Sequence, residues 1–203
     1  MNRTDNGFRQ EATKLEAHLH DHGFIFESLN DWISGRTPSS AERPLIAWLE
    51  RTSSDEIRDL IARILTQKGF VSALEPLMRA FRASGNDSTR WAIGNAISHI
   101  GFTKAHWHDI LGLAADPRFG RGRQMIVDVL HRIKLPETEA VLVSLLDDRD
   151  VDAFALRALS YCGSYSAYER LRQMSVEERS PLFRQTLTTA IPRLERKLKH
   201  RPN

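Results

Sequence analysis

Five segments of thirteen residues share one pattern of apolar and polar positions. They begin at residues 57, 89, 122, 151 and 183, so consecutive starts lie 32, 33, 29 and 32 residues apart. Within each segment, apolar residues dominate positions 4, 5, 8, 9 and 12, which is the spacing of one face of an α-helix. The pattern predicts an amphipathic helix in each segment, and the regular interval indicates an internal repeat.

A second apolar segment precedes each of these helices, and polar turn residues separate the two. The preceding segments are 45–49, 71–81, 107–115, 140–146 and 167–174. Asp, Ser and Asn in the turns are typical of helix starts, because their side-chain oxygens accept hydrogen bonds from the first backbone N–H groups. The repeat unit is therefore predicted to be helix–turn–helix, with Gly69, Gly101 and Gly163 ending three of the second helices. Pro192, inside the fifth second helix, predicts either a kink or a later helix start.

Charged residues occupy position 2 of the five segments. They are Arg58, Arg90, Arg123, Asp152 and Arg184. We expect the first three to hold neighbouring repeats in register by contacting acidic residues of their own turn or the next one. The acidic candidates are Asp55, Asp87 and Asp116.

Two sequence elements carry a likeness to a known family. One is Leu145-Leu146-Asp147-Asp148-Arg149-Asp150-Val151, followed by Ala155-Leu156-Arg157-Ala158-Leu159 and Gly163; the other is Trp-Ala-Ile-Gly-Asn-Ala at residues 91–96. With the repeats, which cover roughly residues 42–196, they resemble HEAT repeats, in particular the short HEAT-like repeats of phycobiliprotein lyases. The second element also resembles bacterial HEAT-repeat proteins, some of which look like toxin-neutralising immunity proteins. The resemblance implies an all-α fold, a right-handed α–α superhelix of about five helical pairs.

We expect one domain over residues 1–203, with an N-terminal helical cap at 1–41, repeats at 42–196 and a basic tail at 197–203. In the cap, Phe8, Ala12, Leu15 and Leu19 follow one helical stripe, and Ser28 is expected to cap a short helix. A cap is needed because a helical pair cannot bury its apolar face alone.

Composition excludes several classes of protein. The single cysteine, Cys162, rules out an internal disulfide and a thiolate metal site. The first residues contain no apolar run and the longest apolar stretch is too short to span a bilayer, so we expect a cytoplasmic monomer without membrane contact. Residues 1–101 hold 12 Lys+Arg against 13 Asp+Glu, and residues 102–203 hold 17 against 13, which gives −1 and +4. This near-neutral body is unlike the broad basic stripe of a duplex-binding protein.

Motifs for hydrolysis, phosphate binding or dinucleotide binding are absent, which favours a non-enzymatic protein without cofactor or metal. Cys162 falls at an apolar position and is expected to be a core filler, and the His18/His22 pair offers too few ligands for a structural zinc site. The turn from Arg118 to Arg123 leaves two alternatives open. It is either an anion-binding nest before a helix or an ordinary turn whose arginines pair with acids such as Asp116.

Positions 3, 6, 7 and 10 of the segments point away from the apolar face. In HEAT-like solenoids the second helices line the concave side, so the resemblance implies a partner-binding surface there. The candidate residues are Asp59, Arg63, Trp91, Asn95, Gln124, Asp128, His131 and Arg157. Trp91 is the expected interface anchor, since a large aromatic residue on a polar ridge is typical of one. The alternative is that Trp91 covers Gly94 of its own helix.

Three functions remain open. The favoured one is a non-enzymatic scaffold, an adaptor or an immunity-type protein, that binds a protein or peptide on its concave face. The alternative is a nucleic-acid-binding protein related to the HEAT-like alkylpurine DNA glycosylases, with Trp91 and Asp128 handling a base. The third is a chaperone for a tetrapyrrole, which rests on the resemblance alone.

Overall fold

Helices make up the whole regular structure of the part of the chain that the structure describes. The computed structural model describes residues 3–33, 37–174 and 177–199, with side chains from Asn6 onward. These residues contain α-helices and short 3₁₀ turns and no strand, which confirms the predicted all-α class. Backbone contacts group into two compact units, residues 1–102 and 103–203.

The described residues of the first unit form six α-helices. They are α1 (Arg3–Asp21), the single turn α2 (Leu29–Asp31), α3 (Glu42–Arg51), α4 (Asp55–Ile64), α5 (Leu74–Ala83) and α6 (Asp87–Ile100). Helix α6 packs against α4 and α5, α3 packs against α5, and α1 lies on α3 and α4. The side chains of Leu15 and Leu19 are fully buried, so α1 covers the apolar end of the first pair, as predicted for a cap.

Six α-helices also lie in the described part of the second unit. They are α7 (Trp107–Ala115), α8 (Gln124–Asp128), α9 (Thr138–Ser144), α10 (Asp152–Cys162), α11 (Tyr165–Gln173) and α12 (Pro181–Lys199). Helix α10 is the centre of this unit and packs against α8, α9 and α12. Its neighbours cover most of its surface, and Leu156 and Leu159 are fully buried.

Side chains cap several helix starts, including the predicted ones of α2, α4 and α6, whereas α8 and α10 have no side-chain cap. The Ser28 hydroxyl accepts from the Asn30 amide at 3.2 Å while Asp31 accepts from the Ser28 amide at 3.1 Å, a reciprocal cap for α2. Ser54 caps α4 by accepting from the Ile57 amide at 3.2 Å. Asn86 and Ser164 cap α6 and α11 in the same way. In these four helices a polar side chain thus satisfies amides that would otherwise lack a partner at the helix start.

Arginine at position 2 joins the two helices of a pair. The guanidinium of Arg58 donates to the Thr52 carbonyl at 2.9 Å, just after α3 ends, and to Asp55 at 2.9 Å. In the next pair Arg90 donates to the carbonyl of Ser84, after α5, and lies 3.3 Å from Asp87. Both predicted acidic contacts are confirmed, and the carbonyl contact is a feature that the sequence did not reveal.

Arg123 makes the same kind of contact, and its side chain is more deeply buried. Its side chain is 1% exposed and donates to the Ala114 carbonyl at 3.1 Å, near the end of α7, and to the Gly120 carbonyl at 3.1 Å. Its ion-pair partner is Asp148, in the following turn. The predicted contact with an acid of the next turn is therefore confirmed, but the candidate Asp116 is wrong, because Arg118 occupies that carboxylate at 2.6 Å.

In the fourth pair, where Asp152 replaces arginine, a residue from further along the chain supplies the guanidinium. Arg179 donates to the Leu146 carbonyl at 2.7 Å and to Asp152 at 3.1 Å. Both side chains are almost fully buried. Desolvation raises the pKa of Asp152 above its usual range, although the hydrogen bond from Arg179 acts in the opposite direction. Asp152 at position 2 is therefore paired with an arginine from later in the chain. In the first three pairs, the arginine itself stands at position 2.

Other predicted details are wrong. The third segment is not one helix, since α8 ends at Asp128 and a 3₁₀ turn follows at Leu130–Arg132. Gly69 does not end α4, which stops at Ile64, because the hydroxyl of Thr66 and the amide of Gln67 take its last carbonyls. Gly101 and Gly163 do end their helices.

The C-terminal helix settles the alternatives left by Pro192. Helix α12 starts at Pro181 and runs through Pro192 to Lys199, so a later start is wrong. The predicted basic tail continues this helix as far as Lys199, and residues 200–203 lie outside the described residues. The outward direction predicted for positions 3 and 10 also fails in α10. Ala153 and Ser160 are buried there because helices cover α10 on several sides.

Candidate partner-binding site

The eight predicted binding residues divide equally between the two units. Asp59, Arg63, Trp91 and Asn95 belong to the first unit, and Gln124, Asp128, His131 and Arg157 belong to the second. Their surroundings differ, since Asp59 and Arg63 border a groove, Trp91 and Asn95 lie on α6 outside its lining, and the second set is engaged in contacts within its own unit.

Asp59 and Arg63 lie one turn apart on α4 and form a two-pronged ion pair. The Arg63 Nε lies 2.6 Å from one Asp59 oxygen, and its Nη2 lies 3.2 Å from the other. This hydrogen bonding raises the pKa of Arg63 above its usual range. The pair is partly exposed, so it presents a fixed, locally neutral polar group to anything that approaches α4.

A groove lies beside this pair. It has a volume of about 460 Å³ and is bordered by α1, α4, the turn around α2 and the start of α6. Its lining residues are Phe8, Asn30, Ile33, Glu56, Asp59, Leu60, Arg63, Asn86, Ser88 and Thr89. Phe8, Ile33 and Leu60 make it apolar, and two carboxylates against one guanidinium leave a formal charge of −1.

The carboxylate of Glu56 is the unpaired charge of the groove. It is exposed, and its only described hydrogen bond is from the Ser54 hydroxyl at 2.8 Å. Ile33, also in the lining, is 38% exposed. An apolar side chain and a carboxylate on the walls of one groove provide a place for a segment that carries an apolar residue and a cation.

Trp91 and Asn95 lie one turn apart on α6, and both are half-buried. The Trp91 indole makes no hydrogen bond, ring stacking or cation–π contact with other described residues. The Asn95 carbonyl accepts from the Ser98 hydroxyl at 2.7 Å, while its side-chain amide makes no hydrogen bond within the described chain. The polar groups of both side chains are therefore unused by the described residues, and their role in binding stays a prediction.

The four candidates of the second unit are used internally. The Gln124 amide donates to the Asp150 carbonyl at 2.8 Å, and Asp128 forms an ion pair with Arg157 across α8 and α10. The His131 ring stacks on Tyr161 with centroids 4.8 Å apart. These contacts join neighbouring helices, a role that sequence position alone did not indicate.

The arginine-rich turn is an ordinary turn by its contacts. Arg118 pairs with Asp116 and lowers the pKa of that carboxyl, mainly through the side-chain hydrogen bond. Arg123 is buried on backbone carbonyls and Asp148. Both side chains point donors at protein atoms, and the Arg118–Asp116 pair is the contact that the second of the two sequence alternatives predicted.

Cys162 and the histidine pair are poor candidates for chemistry. Burial raises the pKa of the Cys162 thiol, which lowers its thiolate content at neutral pH. His18 packs on Trp48 with centroids 5.2 Å apart, and burial lowers its pKa, followed by the nearby His22 and Arg51. The described residues contain no group of three or more potential metal ligands.

Sequence reasoning missed the N-terminal wall of the groove. Phe8 lies on the apolar stripe that was assigned to the cap, while Asn30 and Ile33 belong to the segment around α2. Nothing in the repeat pattern points to these positions, because they precede the first repeat.

Comparisons with protein families, with curated proteins and with solved structures give no significant match to this chain. Among the helices that the structure describes, none combines the length and the apolar character needed to cross a membrane.

Proposed function

We propose that this protein is a non-enzymatic binding scaffold whose first unit holds a peptide segment of a partner protein. The observation that carries the proposal is the groove beside α4, which combines apolar walls with an exposed carboxylate and contains two of the predicted binding residues. Pockets of this size that combine apolar walls with a few fixed polar groups are typical binding sites.

The charges of the groove determine which kind of peptide segment fits it. Arg63 is occupied by Asp59, so the remaining charge is that of Glu56. A lysine or arginine beside an apolar residue complements this arrangement, whereas an acidic segment meets like charge. Trp91 and Asn95, on α6 of the same unit, provide an anchor and an amide for the rest of the partner.

Selection of peptides from a random phage-displayed library on the purified protein tests the proposal. We expect enriched peptides to share an apolar residue adjacent to Lys or Arg. Fluorescence anisotropy with these peptides should show that Glu56→Lys and Ile33→Ser each weaken binding by about tenfold, which corresponds to about 1.4 kcal/mol.

Two matched variants in the same unit serve as controls. Glu27→Lys makes the same charge change and Val71→Ser the same kind of apolar loss at exposed positions outside the groove lining. We expect both to bind within about twofold of the parent protein, a small change on the same scale. Equal losses in groove and control variants, or enrichment of acidic peptides, contradicts the proposed site.

We also propose that the helix pairs are HEAT-like repeats that stack into a right-handed superhelix. The arginine-to-carbonyl contact supports this, since Arg58 and Arg90 each bond the carbonyl directly after the first helix of their pair, and Arg123 bonds the Ala114 carbonyl near the end of α7. A compact 203-residue protein has a radius of gyration of about 17 Å. Small-angle scattering of the monomer should give a larger value, and a value of about 17 Å contradicts the superhelix.

A further inference from the structure

The second unit carries a group of cations that have no carboxylate partner. Its formal charge is +4, from 17 Lys+Arg and 13 Asp+Glu in residues 102–203. Most acidic side chains beside an arginine form an ion pair with it, as Asp128 does with Arg157. Lys134, Arg193 and Lys197 instead make their described polar contacts with carbonyl or hydroxyl oxygens.

Two of these cations contact the same residue, Tyr161, one through its ring and the other through its backbone carbonyl. The guanidinium carbon of Arg193 lies 4.3 Å from the centroid of the Tyr161 ring, and its Nη1 donates to the Ser160 hydroxyl at 3.0 Å. The ammonium of Lys197 donates to the Tyr161 carbonyl at 2.5 Å. Tyr161 is 43% exposed, and its hydroxyl has no hydrogen-bond partner among the described residues.

The backbone is shaped to hold Lys197 at this place. Gly163 ends α10 with a φ of +71°, and a Cβ there would lie 3.2 Å from the Cβ and Cδ of Lys197. A side chain at position 163 would therefore push the lysine stem away. Glycine both permits the left-handed turn and lets α12 bring its lysine against the end of α10.

An imidazole and a third cation lie near Tyr161. The His131 ring is tilted by 32° against the Tyr161 ring with centroids 4.8 Å apart, and the ammonium of Lys134 donates to the His131 carbonyl at 2.9 Å. The nearby carboxylate of Glu139 accepts from the hydroxyls of Ser164 and Ser166 through one oxygen. We call this surface the α10–α12 patch; it consists of His131, Lys134, Tyr161, Arg193 and Lys197.

The cations continue along α12. Arg193 and Lys197 are one turn apart, about 6 Å along the axis, and Arg196 and Lys199 extend the positive charge to the end of the helix. A row of cations suits an anion whose charges repeat along a chain. The exposed aromatic ring among them favours nucleic acid over an acidic peptide, because bases contact aromatic and guanidinium planes.

We propose that the α10–α12 patch binds single-stranded nucleic acid, with Lys134, Arg193 and Lys197 on phosphates and Tyr161 beside a base. A single strand fits better than a duplex, because unstacked bases are needed to reach the ring. The modest charge of the unit also falls short of the broad basic surface that duplex binders present. This surface is independent of the groove in the first unit, and either site can exist without the other.

The test is fluorescence anisotropy of a labelled, mixed-sequence twelve-nucleotide single-stranded RNA, titrated with the full chain at several salt concentrations. The double variant Arg193→Gln/Lys197→Gln should weaken binding at least tenfold. It should also reduce the slope of log affinity against log salt by about 1.4, as expected for two lost phosphate contacts on a single strand. Lys134→Gln, which leaves the Tyr161 contacts in place, should weaken binding to a smaller extent.

The matched control is Arg43→Gln/Lys68→Gln, which removes two exposed cations from the first unit. It should bind the RNA within twofold of the parent protein, and circular dichroism should show equal helicity for all variants. If the control and the patch variants lose the same RNA affinity, the effect comes from net charge alone and the proposal is overturned. Equal or tighter binding of a twelve-residue polyglutamate, or of a duplex of the same sequence, also overturns it, as does the absence of RNA binding at low salt.

Discussion

Replacing Arg123 by methionine is expected to destabilise the second unit strongly. Methionine keeps most of the aliphatic stem but removes the guanidinium from a site where the side chain is 1% exposed. The carbonyls of Ala114 and Gly120 then lose charged donors at 3.1 Å, and each such bond contributes about 1.5–3 kcal/mol. Asp148 is 27% exposed and is rehydrated by water, so the ion pair adds little more.

We therefore expect the free energy of unfolding to fall by about 3–4 kcal/mol, since the apolar stem offsets part of the loss. For a protein of this size, 1 kcal/mol shifts the melting temperature by about 2–4 °C, which gives a decrease of about 6–16 °C. Circular dichroism at 222 nm during heating and in urea measures both quantities. Arg118→Met, at an exposed ion pair, is the control and should melt as the parent does. If Arg123→Met also melts as the parent does, the burial argument is wrong.

Three further predictions concern single side chains. Trp91→Ala should weaken the binding of a cognate partner by about 2 kcal/mol or more, measured by calorimetry, and should change the melting temperature only slightly. A large drop in melting temperature with unchanged affinity would place Trp91 in the core. Because the pKa of His18 is lowered in the folded protein, the unfolded chain binds more protons than the folded one below pH 6.5. The contribution of His18 to stability is therefore lost as the pH falls from 6.5 through the folded-state pKa. Urea titrations from pH 7.5 to 4.5 should show a flatter profile for His18→Gln, and identical profiles exclude this role. The raised pKa of Cys162 should make its alkylation by iodoacetamide at pH 8 slower than that of a small free thiol, and an equal rate contradicts the burial.

Much of the local structure follows from the spacing of apolar and capping residues. The stripe through Leu15 and Leu19 predicted α1 and its burial, and Ser28 predicted the cap of α2. Such features depend on residues three or four positions apart, which a sequence displays directly. The acidic partners of Arg58 and Arg90 were predictable for the same reason, since each lies three residues earlier.

Contacts between distant segments were not predictable in this way. The helical register placed Asp128 and Arg157 outside the apolar face, but it contains no information about the partner that each would find. The break after α8 is a similar case, because a continuous apolar pattern also suits a helix followed by a 3₁₀ turn. The groove was missed because its walls come from the cap and the repeats together.

The place of Arg179 has a consequence for the order in which the chain folds. Arg58 and Arg90 each bond a carbonyl six residues earlier, so these contacts form within a single turn of chain. Arg179 bonds the carbonyl of Leu146, 33 residues earlier. Closing the longer loop costs about 1.5 kcal/mol more in chain entropy. The turn before α10 is therefore completed late, after α11 and the approach to α12 have been placed. A nascent chain that ends ahead of Arg179 holds Asp152 without its counter-charge.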